Sequence, residues 1–507
     1  MTAAARITHG KASFGQKTLP WVLVIAAVAA ALTAGLFAAT GAKLLVAVFA
    51  AAIVGFALLQ SSQFHVAVAM AVALVFTGVL EFFFFFGQAN WMSSLVVGSG
   101  LLAAGLQALR PDVRRGRSRP VGLFAVLVLA YLSVLVFASA INTIPVIQAI
   151  VGLRAYVPYI GVAALLIYCR LRPEFVEKLP LGLLAIGVLQ VPVALYQHFV
   201  TGPWRAALRN AVGRPDEAIV GTFGGSAITG GYTGEMAAFL VMMIIFVVAL
   251  RRERVIGSMF AAALSVVLMV PILIAETKVA LVLLPLLLLV CFGRDAVRDP
   301  KFFMATLLAG SALVGAIALV YFFRYWGDES GALRTLTYTF DPDFMVTAYH
   351  RGRVGTLVHW YQSIAADGQI LAAMFGHGVA SAIENSITMG YGSAVSRYGL
   401  GLDSHAVSRL LWDAGVVGLL IFIALPIRAF FIARKLARCT SATPLVRATL
   451  ICSGGSALAM TLMLPYQTSV LGGSAMQFLF WFILGYVEYQ HRHLMTAPST
   501  PKTVRRA

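Results

Sequence analysis

Apolar runs long enough to cross a bilayer recur along the whole chain, separated by short polar or basic segments. They predict helices near 20–40, 43–60, 64–80, 91–109, 120–139, 154–169 and 180–198. Seven more follow near 226–250, 255–275, 279–292, 302–322, 406–425, 447–464 and 473–488, which makes fourteen. The run 279–292 is short and contains Pro285. No cleavage pattern precedes the first run, so it reads as an anchor rather than a signal peptide. The expected organisation is a tail 1–19, a transmembrane bundle 20–198, a central region 199–322 with a first external loop, a long loop 323–405, transmembrane helices 406–489 and a tail 490–507. No internal repeat is visible.

Composition narrows the class. Hydrophobic residues make up 60% of the 507 and charged residues 11%, with a mean hydropathy of +0.88. Soluble domains carry about 25% charged residues. This chain cannot build a water-facing skin, so the expected fold is an all-α polytopic membrane protein with about 14 transmembrane helices and one long external loop. In a soluble chain a net charge of +18 would raise nucleic-acid binding. In a membrane chain it marks cytoplasmic loops, and no nucleic-acid partner is expected. With the N-terminus inside, about two thirds of the 38 Lys and Arg fall on the side of the two termini. RPDVRRGRSRP, RLRPEFVEK, RRER, GRDAVRDPK and the stretch 428–447 all land there. An error of one span would scatter them over both sides. The expected location is therefore a plasma membrane, multi-pass, with both termini cytoplasmic. Cys169, Cys291, Cys439 and Cys452 form no CxxC pair, so neither a disulfide framework nor a zinc site is expected.

Two outside segments exceed ordinary connections. The first, near 201–226, carries Arg205, Arg209, Arg214, Asp216 and Glu217. The second, near 323–405, keeps aromatic and aliphatic residues throughout, unlike a disordered linker. Within it LVHWYQSIAADGQILAAMF reads as an interfacial helix with Leu357, Trp360, Tyr361 and Ile364 on one side. Arg351 and Arg353 flank Gly352, a spacing that suits phosphate oxygens or, equally, pairing with Asp341 and Asp343. Glu276 and Lys278 occupy the mouth of a hairpin, either as a snorkelling turn or as a cation at phosphate level. Asp403, His405, Arg409 and Asp413 gather where the twelfth span begins. Arg409 and Asp413 are spaced to pair on a helix, Asp403 is a helix cap or a base, and His405 is a candidate proton acceptor. Six glycines within 221–235 break the helix ahead of Glu235, an intramembrane carboxylate. Small-residue helix packing would account for the same glycines.

Between about 221 and 420 these segments resemble the O-antigen polymerase and ligase superfamily of bacterial envelope enzymes. The resemblance rests on GTFG entering a span, a basic residue opening a later span in ETKVALVLL, an arginine loop followed by Trp360 and the FGHG turn, and a final DSH…LLWDAGVVGLL. Lys278 stands where the family usually has arginine. His405 lies one place from the ligase histidine, at whose spacing Ser404 stands, and GGSA replaces the common Pro-Asn. The resemblance implies a glycosyltransferase of lipid-linked, GT-C-like architecture in the bacterial inner membrane, active on the periplasmic face without metal or cofactor. It implies undecaprenyl-pyrophosphate-linked glycan as donor, an acceptor glycan, membrane lipid and a chain-length regulator protein as partners. Arg351, Arg353 and Lys278 would hold the pyrophosphate, and His405 with Asp403 would remove the acceptor proton with inversion. Arg214, Glu235, Glu276 and Arg409 would line the donor or acceptor groove. The leading expectation is polymerisation of O-antigen, capsule or exopolysaccharide repeat units. A ligase transferring finished glycan to lipid A core or another acceptor is the alternative, and a flippase or transporter without chemistry is the second.

Overall fold

The computed structural model describes residues 55, 58–109, 122–208, 215–228, 230–324, 338–345, 351–366, 368–384, 386, 388–399 and 401–496. Outside the described residues lie both expected tails except for 490–496, the run 20–40, most of 43–60, the whole basic segment 110–120, and Arg209, Arg214 and Arg334. The chain divides into a short unit Met1–His65 and a large one Val66–Ala507.

The described structure is mostly helical. In chain order the helices of eight or more residues are α1 (Ser62–Phe84), α2 (Ala89–Leu109), α3 (Leu123–Ile141), α4 (Val146–Tyr156), α5 (Ile160–Tyr168) and α6 (Pro173–Ala207). They continue with α7 (Thr233–Arg252), α8 (Ser258–Ile274), α9 (Val279–Phe292), α10 (Pro300–Arg324), α11 (Arg353–Trp360), α12 (Ala406–Leu436), α13 (Pro444–Met463) and α14 (Ser474–Thr496). The described strands are a two-residue hairpin, Gly225–Ser226 against Gly230–Gly231.

A helix lies at every predicted run that falls within the described residues. Seven of them are long and apolar enough to cross a membrane, or eight if α4 and α5, bent by 50°, form one broken span. The expected fourteen is therefore not reached among the described residues. The helix α8 has 17 residues and α9 has 14, both short of the roughly 20 that a full crossing takes.

The core is organised around α7, which is apolar on every side and buried without interruption from Glu235 to Val247. It packs against α8, α9 and α13. The helix α14 is the second central element, buried from Ser474 to Gln490. Close approach depends on small residues: a Cβ at Gly161 of α5 would lie 2.2 Å from the Val97 carbonyl oxygen of α2, so only glycine fits.

The two ends of α7 differ in chemistry. At its foot Arg252 grips Asp295 with Nε (2.6 Å) and a terminal nitrogen (2.8 Å), and Glu253 accepts from both Arg252 and Arg447 at 2.7 Å. Arg428 and Arg492 meet Glu488 at 2.8 and 3.2 Å. These are the segments whose basic content the topology rule groups on one side. Glu235, at the head of α7, lies about 26 Å away along the helix axis.

Candidate functional site

A loop rich in glycine sets the head of α7. Two glutamines inside α6 hold it. The Gln197 carbonyl accepts from the Val220 and Gly221 amides at 2.9 and 2.7 Å, and its amide donates to the Gly221 oxygen at 2.9 Å. The Gln190 carbonyl accepts from the Thr222 amide at 2.7 Å, and the Thr222 hydroxyl donates to the Leu74 oxygen at 2.6 Å. Gly221 takes φ +61, a conformation that side chains resist. The GTFG segment is thus a scaffold: it fixes the chain that leads through the hairpin to Tyr232, Gly234 and Glu235.

Beside Glu235 a recess of about 290 Å³ opens, lined also by Arg353, Ser404, Tyr466, Gln467 and Thr468. Arg353 is placed by four contacts. Its Nε donates to the Tyr466 carbonyl oxygen (3.0 Å) and a terminal nitrogen donates to Thr339 Oγ1 (3.1 Å). Its guanidinium lies 4.3 Å from the Tyr466 ring centre and 4.6 Å from that of Tyr338. A cation held in this way is already ordered before any anion arrives.

His405 has a different setting from the one its residue type suggests. It is fully buried and caps α12, with Nδ1 accepting from the Ser408 amide at 3.2 Å. That contact leaves the proton on Nε2, which meets the Arg353 carbonyl oxygen at 3.1 Å and Thr356 Oγ1 at 3.2 Å. Both ring nitrogens are occupied, so in this arrangement His405 joins α11 to α12 and has no lone pair for a substrate proton. Burial, with Arg353 adding to it, pushes its pKa down to about 4. The depressed value has a sign: the unfolded chain binds this proton more readily, so stability falls as pH drops from about 6.5 toward 4. His405→Asn, which keeps a good cap, is expected to flatten the fall in melting temperature across that window.

Asp403, two residues earlier, is partly exposed. Burial pushes its carboxyl up to about 6, with Glu384 acting in the same direction and Arg409 opposing it. Glu384 in turn accepts from the amides of Gly401 and Leu402, which fixes the turn ahead of α12.

Arg409 is 5% exposed, and its Nε and one terminal nitrogen are buried without a hydrogen-bond partner. The expected pairing with Asp413 is loose, at 3.8 Å. Asp413 is instead saturated by others: Tyr156 Oη (2.5 Å), Ser381 Oγ (2.7 Å) and the amides of Ala380 and Ala382 (3.1 and 2.9 Å) all donate to it. The helix breaks just beyond, at Gly415 with φ +65, where an added Cβ would lie 2.4 Å from the Met374 carbonyl. The amides of His377 and Gly378 donate into the break, to the Trp412 and Asp413 oxygens at 2.7 and 3.0 Å.

The structure therefore brings Arg353 and Glu235 together. Arg351, Lys278, Glu276, Asp403 and Arg409 do not line their recess. Arg351 pairs with Met345 in an isolated bridge. Glu276 adopts a left-handed φ of +49, and Lys278 takes the cap position of α9. The expected interfacial helix forms as α11 and a following π turn. Trp360 and Ile364 enter a small core with Leu402, Leu411 and Trp412, whereas Tyr361, one helical step (about 100°) past Trp360, stays 60% exposed. The sequence reading missed Tyr466, Gln467 and Thr468, although a short polar and aromatic stretch between two apolar runs was the available signal. No protein-family model and no curated protein matches this chain.

Proposed function

We propose that this protein is an inner-membrane glycosyltransferase that polymerises repeat units of a surface polysaccharide, with undecaprenyl-pyrophosphate-linked glycan as donor and the recess on the periplasmic side. The observation that supports this reading most is the pairing of a pre-ordered cation, Arg353, with a buried carboxylate, Glu235, in one recess at the membrane end opposite the basic network. The order of motifs from 221 to 420 adds the resemblance described above.

In this reading the acceptor hydroxyl attacks the anomeric carbon, the carbon–oxygen bond to pyrophosphate breaks, and inversion follows. Arg353 stabilises the charge gathering on the leaving group, and buried Arg409 supplies further positive potential. Glu235 takes the acceptor proton, the role that the spacing near α12 would give to His405. Asp403 is the second candidate base. The shorter apolar helices α8, α9 and α10 would complete the crossings that bring the total toward fourteen.

The deciding experiment is reconstitution in vesicles with a lipid-pyrophosphate repeat unit. A ladder of products is expected. A single transfer to a separate acceptor would make the protein a ligase, and movement of intact donor without transfer would make it a flippase. Glu235→Gln should cut transfer by about 10²-fold with unchanged expression. Wild-type turnover in that variant would move the base elsewhere. Asp403 is then tested by whether Asp403→Asn removes a rise in rate centred near pH 6.

A further inference from the structure

A cleft of about 810 Å³ opens between α7, α8, α9 and α10, at the foot of α7 and far from the recess. Its two ends are chemically unlike. At the mouth stand Arg251, Arg254, Lys301 and Ser258, with Asp299 as the opposing charge. Arg252, also at the mouth, is committed to Asp295 and Glu253, and Arg251 Nε donates to Ser258 Oγ. Arg254 and Lys301 are exposed, and Arg254 takes a left-handed backbone conformation, φ +58. Below them the walls are Val266, Ala305, Ala309 and Leu313 with no charged residue, and Val266, Ala305 and Ala309 are exposed. Positive charge continues beyond Arg252 into a neighbouring recess lined by Arg294, Arg298, Arg434 and Arg438.

We infer that this cleft binds one anionic phospholipid, its phosphate at Arg254 and Lys301 and its acyl chains in the groove between α8 and α10. A cationic mouth over an apolar trough complements an amphiphile with a negative head, and the mouth lies on segments that the topology rule gathers at one membrane face. A small anion would satisfy the mouth and leave the trough empty, and a zwitterionic lipid would bring a quaternary ammonium up against the same cations. The site is independent of the transfer chemistry proposed above.

The test uses the full chain in neutral detergent, titrated by native mass spectrometry with phosphatidylglycerol and with phosphatidylcholine. Phosphatidylglycerol is expected to bind more tightly, by about five-fold for each of the two cations. Arg254→Gln with Lys301→Gln should bring the two lipids close to parity. Ala309→Trp, which fills the trough, should weaken both, and free glycerol 3-phosphate should displace neither. Equal binding by the unmodified protein, a preference that survives the double substitution, or displacement by glycerol 3-phosphate would overturn the inference. Insensitivity to Ala309→Trp would give the trough to another segment or a second copy and overturn it as well. Should that variant fail to fold, the exposed Arg254 and Lys301 positions decide alone.

Discussion

Arg353→Ala is expected to reduce glycan transfer by at least about 10²-fold while membrane insertion holds and the melting temperature falls only modestly, by the loss of its side-chain contacts. The guanidinium sits between two tyrosine rings and donates to a carbonyl and a threonine, so its charge is in place before the donor binds. A leaving pyrophosphate gathers charge as its bond breaks, and a donor that needs no reordering acts mainly on that transition state. The contact that joins α11 to His405 uses the Arg353 backbone carbonyl, which alanine retains. Arg353→Lys should recover little, because an ammonium neither fills the space between the rings nor presents a planar fork. Lys278→Ala, at a residue outside the recess, should cost about ten-fold or less. The measurement is the product ladder from reconstituted variants. Full yield from Arg353→Ala would remove this arginine from the chemistry.

Asp413→Ala is expected to cost about 3–5 kcal/mol of stability, read as a lower melting temperature in detergent. Four donors converge on this fully buried carboxylate, and Arg409 lies 3.8 Å away. Truncation strands two amides, a serine, a tyrosine and a buried cation together. Asp413→Asn should fall between, since its amide nitrogen must face at least one N–H donor. An alanine variant as stable as the original would mean that the segment 376–382 is held by the helix break alone.

The sequence made some of this legible and hid the rest for physical reasons. The run that becomes α7 is apolar at every position from Met236 to Leu250, and a helix of that kind belongs in a core. The basic segments 251–254, 294–301 and 428–447 announced their common side, and the Arg252, Asp295, Glu253 and Arg447 contacts place them together. Hydropathy measures apolar content and not helix length, so the 14 residues of α9 read as a span although they form a helix shorter than the roughly 20 residues a full crossing takes. The chemistry at α12 was legible by residue type only. His405 looks like a base in one dimension and is a cap and a bridge in three, because Thr356 and the Arg353 carbonyl arrive from about fifty residues earlier. Tyr466 was invisible for the same reason: its partner Arg353 is more than a hundred residues away. Arg409 and Asp413 were spaced to pair, yet the carboxylate turns to the segment 380–382 and the π system of Tyr156 lies 5.5 Å from the arginine.

The break at Gly415 has a kinetic consequence. Amides of His377 and Gly378 end on carbonyls that an unbroken helix would have used itself, so this stretch and the start of α12 complete one another's hydrogen bonding. Deuterium should then enter both at a single common rate, slow for a connection without regular secondary structure, because neither can open without exposing the other.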